Sequence, residues 1–154
     1  MRVVVQRVKA SRVEIEGTVV GEIGQGLMVL LGITEGDTQA HCDFLMDKLI
    51  HLRIFTDEEE KMNLSLQDVE GEMLIVSQFT LYGDCRKGRR PSFIAAARPE
   101  TAIPLYAYFV ELAQKSVKKV ATGQFGADMQ VYIQNDGPVT LMLDTDEIMK
   151  RGAK

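Results

Sequence analysis

The chain has 154 residues, 45% hydrophobic and 26% charged, a length and composition that fit one globular domain and exclude a disordered protein. Its net charge of −4 argues against a protein that coats nucleic acid indiscriminately. Basic residues interrupt the apolar N-terminal stretch, and the longest apolar run elsewhere, residues 27–31, is far too short for a bilayer, so we expect a cytoplasmic protein with no signal peptide or membrane segment.

The first predicted elements are two β-strands and a turn. Residues 2–9 and 12–16 are rich in β-branched side chains, and the second stretch alternates apolar with acidic residues, which is typical of a half-exposed strand. The stretch GEIGQG, residues 21–26, predicts a turn between strands. Its glycine spacing is not that of a dinucleotide-binding loop, and no βα pattern follows it.

The next segments predict a buried strand and a helix. Residues 27–33 form a continuous apolar run, typical of a strand covered on both faces. Asp37 or Thr38 can cap a helix that runs to about Leu52. The apolar face of this helix is predicted to consist of Phe44, Leu45, Leu49 and Leu52.

The second half of the chain predicts three strands and another helix. Residues 73–79 read as a central strand, and a long helix fits residues 103–120, starting near Thr101 and Pro104. Strands are predicted at residues 129–134 and 139–144, joined by a short exposed connection. The apolar stripe of the helix is predicted to consist of Leu105, Phe109, Leu112 and Val120.

Together these elements predict an α/β fold in a single domain spanning residues 1–154. We expect a mixed β-sheet or incomplete barrel of about seven strands, with two long helices packed on it.

Familiar catalytic machinery is missing from the sequence. His41 and His51 would lie roughly 15 Å apart along one helix, too far to share a metal ion. Cys42 and Cys85 have no metal-ligand or C-x-x-C spacing and are predicted to be reduced structural thiols. No nucleophile elbow, phosphate-binding loop or H-E-x-x-H motif occurs. We therefore predict no metal and no cofactor.

Two short motifs are the candidates for a site. In SQFTLYGD, residues 77–84, a buried apolar strand ends in polar residues, which is a common place for a site. The alternative is that Ser77 and Thr80 only form hydrogen bonds with backbone groups at the strand end. NDGPVT, residues 135–140, interrupts two predicted strands, and an ordinary turn would have the same composition.

These motifs, with VVQRV at residues 4–8, resemble the bacterial D-aminoacyl-tRNA deacylase family, also called D-tyrosyl-tRNA deacylases. The resemblance covers essentially the whole chain, and the paired motifs are more specific than either alone. It implies hydrolysis of the ester between a D-amino acid and the terminal ribose of tRNA. Because an activated ester needs less catalytic equipment than an amide, the lack of a histidine base is consistent with this reaction.

The resemblance assigns the catalytic segment to Ser77, Gln78, Phe79 and Thr80. We expect its backbone N–H groups to stabilise the negative charge of the tetrahedral intermediate, while Ser77 and Gln78 orient the ester. Thr80 has no evident base, so we expect attack by water, assisted by the ribose hydroxyl of the substrate.

The resemblance also implies how D-substrates are selected. Gly137 and Pro138 are expected to form a cis peptide that reaches into the active site of the partner in a homodimer and excludes L side chains by collision. Glycyl-tRNA has no side chain to exclude, so it should be hydrolysed as well. Arg7 is expected to bind backbone carbonyls of this segment; the alternative is an arginine on a surface strand.

Further residues are expected to bind the tRNA. Phe125 and Met129 match family positions that line the pocket for the terminal adenosine, although Met129 alternates in phase with Val131 and Ile133, as a core residue would. A basic cluster close to SQFTLYGD is predicted to bind acceptor-stem phosphates, with a solvated loop as the alternative. The cluster consists of Arg86, Lys87, Arg89 and Arg90.

Two rival functions remain open from the sequence. One is a non-catalytic tRNA-binding module, against which stands the polar SQFT segment at a strand end. The other is a small-molecule ester hydrolase with no RNA role, against which stands the basic cluster. The acidic run at residues 57–60 predicts a solvated loop with no assigned role.

Overall fold

The computed structural model describes residues 1–152. Within them lie eight strands, three α-helices and one short 3-10 helix, Phe79–Tyr82. The strands are β1 (Arg2–Ile15), β2 (Thr18–Ile23), β3 (Gly26–Gly32), β4 (Phe55–Thr56), β5 (Met62–Leu64), β6 (Glu72–Ser77), β7 (Val120–Thr122) and β8 (Gln130–Asp144). The helices are α1 (Gln39–His51), α2 (Pro99–Ser116) and α3 (Thr145–Gly152). The predicted mixed fold with two long helices is confirmed, and none of the helices in this part of the chain is long and apolar enough to cross a membrane.

A mixed sheet organises the molecule around β1. Strand β8 pairs antiparallel with one side of β1, and β2 and β3 pair antiparallel with successive parts of its other side. Strand β6 then pairs in parallel with β3, and β7 in parallel with β6. Strand β2 approaches β7 so closely that a Cβ on Gly21 would collide with the carbonyl oxygen of Thr122. The sheet therefore curls into an incomplete barrel.

The two faces of the sheet have different surroundings. Helices α1 and α2 cover one face and form the main core, which contains Leu45 and Phe109. The other face lines the inside of the barrel around a smaller apolar cluster. At one end this inner face stays open: Val4 and Leu30 are half-buried, and Met142, which pairs with Val4, is 67% exposed.

The N-terminal hairpin differs from the prediction. The expected strands at residues 2–9 and 12–16 are one strand, because Ala10 and Ser11 stay paired with β8. The hairpin turn lies at Glu16 and Gly17, which both have positive φ. The predicted turn at residues 21–26 is wrong over most of its length, since β2 continues to Ile23.

Helix α1 agrees with the prediction at its start and differs in its buried face. Thr38 is the residue before the helix, and its N–H donates to His41 Nδ1 at 3.0 Å. Phe44 and Leu52 were expected to be buried and are only half-buried. The helix is rotated so that its buried face consists of Cys42, Leu45, Met46, Leu49 and Ile50.

The prediction for α2 is wrong at both ends. The helix begins at Pro99, and Pro104 lies inside it rather than at its start. It ends at Ser116, and Val120 belongs to β7, because that segment pairs in parallel with β6. Leu112 is only half-buried, whereas Leu105 and Phe109 are buried as expected.

The acidic run lies at the tip of the β4–β5 hairpin, which the sequence did not predict. Asp57 Oδ1 accepts hydrogen bonds from the backbone N–H groups of Glu59 at 2.8 Å and Lys61 at 3.0 Å. These bonds hold the pKa of Asp57 below its usual value. Residues 58–60 are exposed, so the predicted solvated loop is confirmed.

Cys42 and the two histidines have structural positions, whereas the prediction of a structural thiol is wrong for Cys85. Cys42 is buried, its thiol donates to the Leu105 carbonyl oxygen, and burial raises its pKa to about 12, as expected for an unreactive thiol. Cys85 is exposed. His41 bonds the start of α1, and His51 contacts the backbone of Asp47 on the helix surface.

Candidate active site

The SQFTLYGD motif lies where β6 leaves the sheet. Strand β6 ends at Ser77, and the N–H of Gln78 still donates to the Leu31 carbonyl oxygen at 2.8 Å. The chain then turns into the short 3-10 helix. Phe79 and Thr80 open that helix, so their N–H groups have no intrahelical acceptor. Within the described residues these two N–H groups donate to no other backbone acceptor. The N–H of Gln78, in contrast, is hydrogen-bonded to Leu31 of β3.

A cleft of about 480 Å³ adjoins this segment at the open end of the barrel. Its lining is mostly apolar, with a few polar groups that include those of SQFT, which is the usual composition of a small-molecule site. Its lining residues are Leu30, Val76, Ser77, Gln78, Phe79, Thr80, Ala127, Asp128, Met129, Val131 and Ile133.

The cleft brings together all four predicted catalytic residues and Met129. The Gln78 side-chain amide donates to Thr80 Oγ1 at 3.0 Å, which orients both side chains. Asp128 also lines the cleft and was not predicted, since a lone aspartate in a loop gives no sequence signal. No hydrogen bond between described residues joins Asp128 to Thr80, whose hydroxyl accepts from the Gln78 amide.

Phe125 lies elsewhere. Its ring packs against Tyr106 of α2 at 6.1 Å between centroids, on the helix-covered side of the sheet. It is half-buried and is not among the residues that line the cleft. The predicted pairing of Phe125 and Met129 in one pocket is therefore not seen in the isolated chain.

The NDGPVT motif forms a bulge within β8. The prediction that it connects two separate strands is therefore wrong. Asn135 pairs with Val8 and Thr140 with Gln6, so residues 136–139 are left without ladder partners opposite a single residue of β1. Both flanking segments pair with β1 in the same direction. Pro138 accordingly lies where the ladder needs no donor, as expected.

The projecting segment carries Gly137 and Pro138, joined by a cis peptide bond, as the resemblance implied. Both residues are exposed, and neither lines the cleft formed by SQFT of the same chain. Asn135 closes the base of the bulge: its Oδ1 accepts from the N–H of Val139 at 2.7 Å, and its Nδ2 donates to Thr140 Oγ1 at 2.9 Å. The sequence indicated Asn135 only as a turn residue.

Arg7 is buried beneath this bulge, and its side chain is only 9% exposed. The alternative interpretation of Arg7 as an arginine on a surface strand is therefore wrong. The guanidinium Nε donates to the Asp136 carbonyl oxygen at 2.9 Å. Its Nη1 donates to the Ile54 carbonyl oxygen at 2.6 Å. The guanidinium thus connects the residue before Gly137 to the start of the β4–β5 hairpin.

The basic cluster lies in an exposed loop, residues 85–91, which we call the basic loop. Backbone hydrogen bonds in both directions between Asp84 and Ser92 close it. Arg86 donates from Nε and Nη2 to the Asp84 carboxylate at 2.9 and 2.8 Å, which lowers the pKa of that carboxyl to about 2. Among described residues no carboxylate lies within ion-pairing distance of the other three cations, Lys87, Arg89 and Arg90.

The chain is similar to known proteins over almost its whole length. A family model described as D-Tyr-tRNA(Tyr) deacylase matches residues 4–144. A Clostridium botulinum (strain Hall) protein named D-aminoacyl-tRNA deacylase is 62% identical over 145 residues, which cover 94% of this chain and 97% of the relative. A Clostridium kluyveri protein of the same name is 59% identical over 148 residues, covering 96% and 99% of the two chains.

Solved structures agree with the fold. A structure titled c-Myc DNA Unwinding Element Binding Protein superimposes with a TM-score of 0.88 at 43% identity, covering 94% of this chain and 98% of the other. A probable eukaryotic D-amino acid tRNA deacylase superimposes with a TM-score of 0.80 at 23% identity, covering 93% and 98%. The family-model match over residues 4–144 and the relatives about 60% identical to the chain show that it belongs to the D-Tyr-tRNA(Tyr) deacylase family.

Proposed function

We propose that this chain is a D-aminoacyl-tRNA deacylase, which hydrolyses the ester between a D-amino acid and the terminal ribose and releases both free amino acid and tRNA. The observation that carries the proposal is the SQFT segment, which presents two unpaired backbone N–H groups beside an apolar cleft. Family membership and the names of relatives about 60% identical to the chain support the substrate class. This substrate would place the enzyme in the cytoplasm, as a quality-control step of translation.

The chemistry follows from the two free donors. When water attacks the ester carbonyl, its oxygen gains negative charge, and the N–H groups of Phe79 and Thr80 would donate to that oxygen. One such donor is typically worth about 3 kcal/mol of transition-state stabilisation. Gln78 is not a backbone donor here, because its N–H is bound to Leu31. Its side chain, with Ser77, remains available to orient the substrate.

Selection against L-substrates would come from the Gly137–Pro138 segment of a partner subunit. The segment is exposed and lies outside the cleft of its own chain, so it is free to enter that of a second copy. The surface that would have to be covered is apolar: Ile133 at the cleft is 38% exposed and Met142 is 67% exposed. A homodimer in which rigid backbone fills the space of an L side chain is the arrangement that we propose.

A substrate panel tests the function. Purified protein is incubated with D-tyrosyl-tRNA, L-tyrosyl-tRNA, glycyl-tRNA and a simple D-tyrosine ester, and release of amino acid is followed. We expect hydrolysis of D-tyrosyl-tRNA and glycyl-tRNA, because glycine has no side chain to collide with the segment. Binding without release would support a non-catalytic tRNA-binding module, and hydrolysis of the simple ester alone would support a small-molecule esterase.

Replacing Thr80 with alanine separates backbone from side-chain catalysis. The backbone N–H survives in the variant, so we expect kcat for D-tyrosyl-tRNA to stay within about threefold of wild type, with the remaining loss due to the broken Gln78 contact. Single-turnover hydrolysis and tRNA binding are measured together. If the chemical step were abolished while binding survived, the Thr80 side chain would be required for the chemistry and this mechanism would be wrong.

The basic loop is proposed to bind acceptor-stem phosphates. Among the described residues Arg86 is paired with Asp84 whereas Arg89 and Arg90 are not, so variants of these arginines can be compared. Removing Arg89 and Arg90 together should lower the slope of log affinity against log salt by about one unit per residue. The Arg86→Ala variant is the matched control, because Arg86 already binds Asp84 and should change the slope less. Equal slopes in wild type and the double variant would contradict the proposed contact.

A further inference from the structure

A pair of exposed aromatic rings lies between the cleft and the basic loop. Phe79 and Phe93 pack edge to face with centroids 5.2 Å apart. Phe79 is 57% exposed and also lines the cleft, whereas Phe93 is 38% exposed and lies outside the cleft lining. Single exposed apolar residues are ordinary on protein surfaces, but two touching aromatic rings beside a site are a stacking surface.

The chain holds Phe93 in place from both sides. Before it, Ser92 exchanges two backbone hydrogen bonds with Asp84, at 2.7 and 2.9 Å. After it, the N–H of Ala97 donates to the Ile33 carbonyl oxygen at 2.8 Å, next to a bridge between Thr34 and Ala96. These bonds attach the segment to the end of β3, so the ring does not depend on packing alone for its position.

The Phe93 ring also packs closely against the backbone of Gly83. A Cβ built on Gly83 would lie 3.0 Å from Phe93 Cε1 and 3.0 Å from the Thr80 carbonyl oxygen. Phe93 therefore covers the end of the 3-10 helix with one edge and leaves the rest of its ring open. The neighbouring Ile94 is 91% exposed and extends the apolar surface.

The cations near the aromatic pair indicate which class of ligand could bind there. The basic loop ends two residues before Phe93 in the chain, and its cations Lys87, Arg89 and Arg90 are exposed. An apolar peptide or lipid tail would not need these cations, whereas a single-stranded nucleic acid supplies both a base to stack and phosphates to pair. The terminal nucleotide of the substrate would occupy the cleft, so the nucleotide before it would reach the aromatic pair.

We propose that Phe93 is a stacking site for the nucleobase that precedes the terminal adenosine, and that the single-stranded 3′ end of tRNA passes across Phe79 and Phe93 toward the basic loop. This inference rests on the proposed function for its substrate. It assigns Phe93 to substrate binding and not to the reacting atoms. Recognition at this position would be tolerant of sequence, because every base has a face that can stack.

The first test measures binding of uncharged tRNA, which is independent of hydrolysis. For Phe93→Ala we expect affinity for intact tRNA to fall about tenfold, since stacking of one base has this magnitude. Affinity for tRNA that lacks its last three nucleotides should be the same in variant and wild type. Ile103→Ala, an exposed apolar residue of α2 away from the cleft, is the control and should bind intact tRNA normally.

The second test separates stacking from support of the catalytic segment. Phe93→Ala should raise KM for D-tyrosyl-tRNA about tenfold and leave kcat within about twofold, while hydrolysis of D-tyrosyl-adenosine is unchanged because that substrate has no second base. Phe93→Tyr should restore wild-type KM and Phe93→Leu should not.

Three results would overturn the proposal. The first is an equal loss on D-tyrosyl-adenosine, which would mean that Phe93 acts only by supporting Phe79. The second is full activity and binding in Phe93→Leu, which would mean that apolar packing suffices. The third is a change in oligomeric state of Phe93→Ala by sedimentation, which would place the residue in an interface. If the wild type hydrolyses neither substrate, the proposed function fails, and the binding comparison still decides the stacking site.

Discussion

Alanine at position 137 is expected to lower kcat/KM for D-aminoacyl-tRNA about 100-fold, because a small displacement of a positioning element has effects of this size. Gly137 has a φ of +140°, which L side chains rarely adopt. A Cβ there would also lie 2.9 Å from Val139 Cγ2 and 3.1 Å from Arg7 Nη2. The added methyl group must therefore displace the segment or the guanidinium beneath it.

The variant should remain folded, because a strained backbone residue costs about 1–3 kcal/mol, less than the stability of most domains. Gly17→Ala is the matched control: Gly17 has a φ of +79°, and nothing lies within 4 Å of a Cβ built there. Both variants are compared by thermal unfolding and by deacylation of D-tyrosyl-tRNA. Wild-type activity in Gly137→Ala would remove Gly137 from the mechanism.

Removing the Arg7 side chain is expected to lower both activity and discrimination. The guanidinium binds the carbonyl oxygens of Asp136 and Ile54, and hydrogen bonds to a charged group contribute about 1.5–3 kcal/mol each. Arg7→Ala should therefore lose about 3 kcal/mol of stability and leave the Gly137–Pro138 segment free to move. We expect about 100-fold lower kcat/KM for D-tyrosyl-tRNA and a smaller ratio of D- to L-substrate rates.

Two further variants identify the cause of the Arg7 effect. Arg7→Lys keeps the charge but presents one donor group in place of the planar fork, so its activity should fall between wild type and Arg7→Ala. Arg12→Ala removes an arginine of the same strand whose ion pair with Glu14 lies near the surface, and it should cost less than about 1 kcal/mol. An unchanged D-to-L ratio in Arg7→Ala would show that the guanidinium does not position the selector.

Patterns within short stretches of sequence were enough to predict several of the strands and the start of one helix. Apolar runs and alternation predicted β3, β6 and most of β1, and Thr38 was identified as a start of α1. The motif SQFTLYGD predicted the segment that lines the cleft, because a change from apolar to polar residues at the end of a strand is visible in one dimension. Family resemblance directed attention to NDGPVT, which composition alone could not distinguish from a turn.

What the sequence by itself determined, then, was the kind of fold and the SQFT segment that lines the cleft. Tertiary pairing decided the rest. NDGPVT is a bulge because both of its flanks pair with β1, and residues 120–122 form a strand because they pair in parallel with β6, which overrides the helical periodicity before them. Arg7 is buried because carbonyl groups from two distant segments converge on it, and no property of its own strand predicts that convergence.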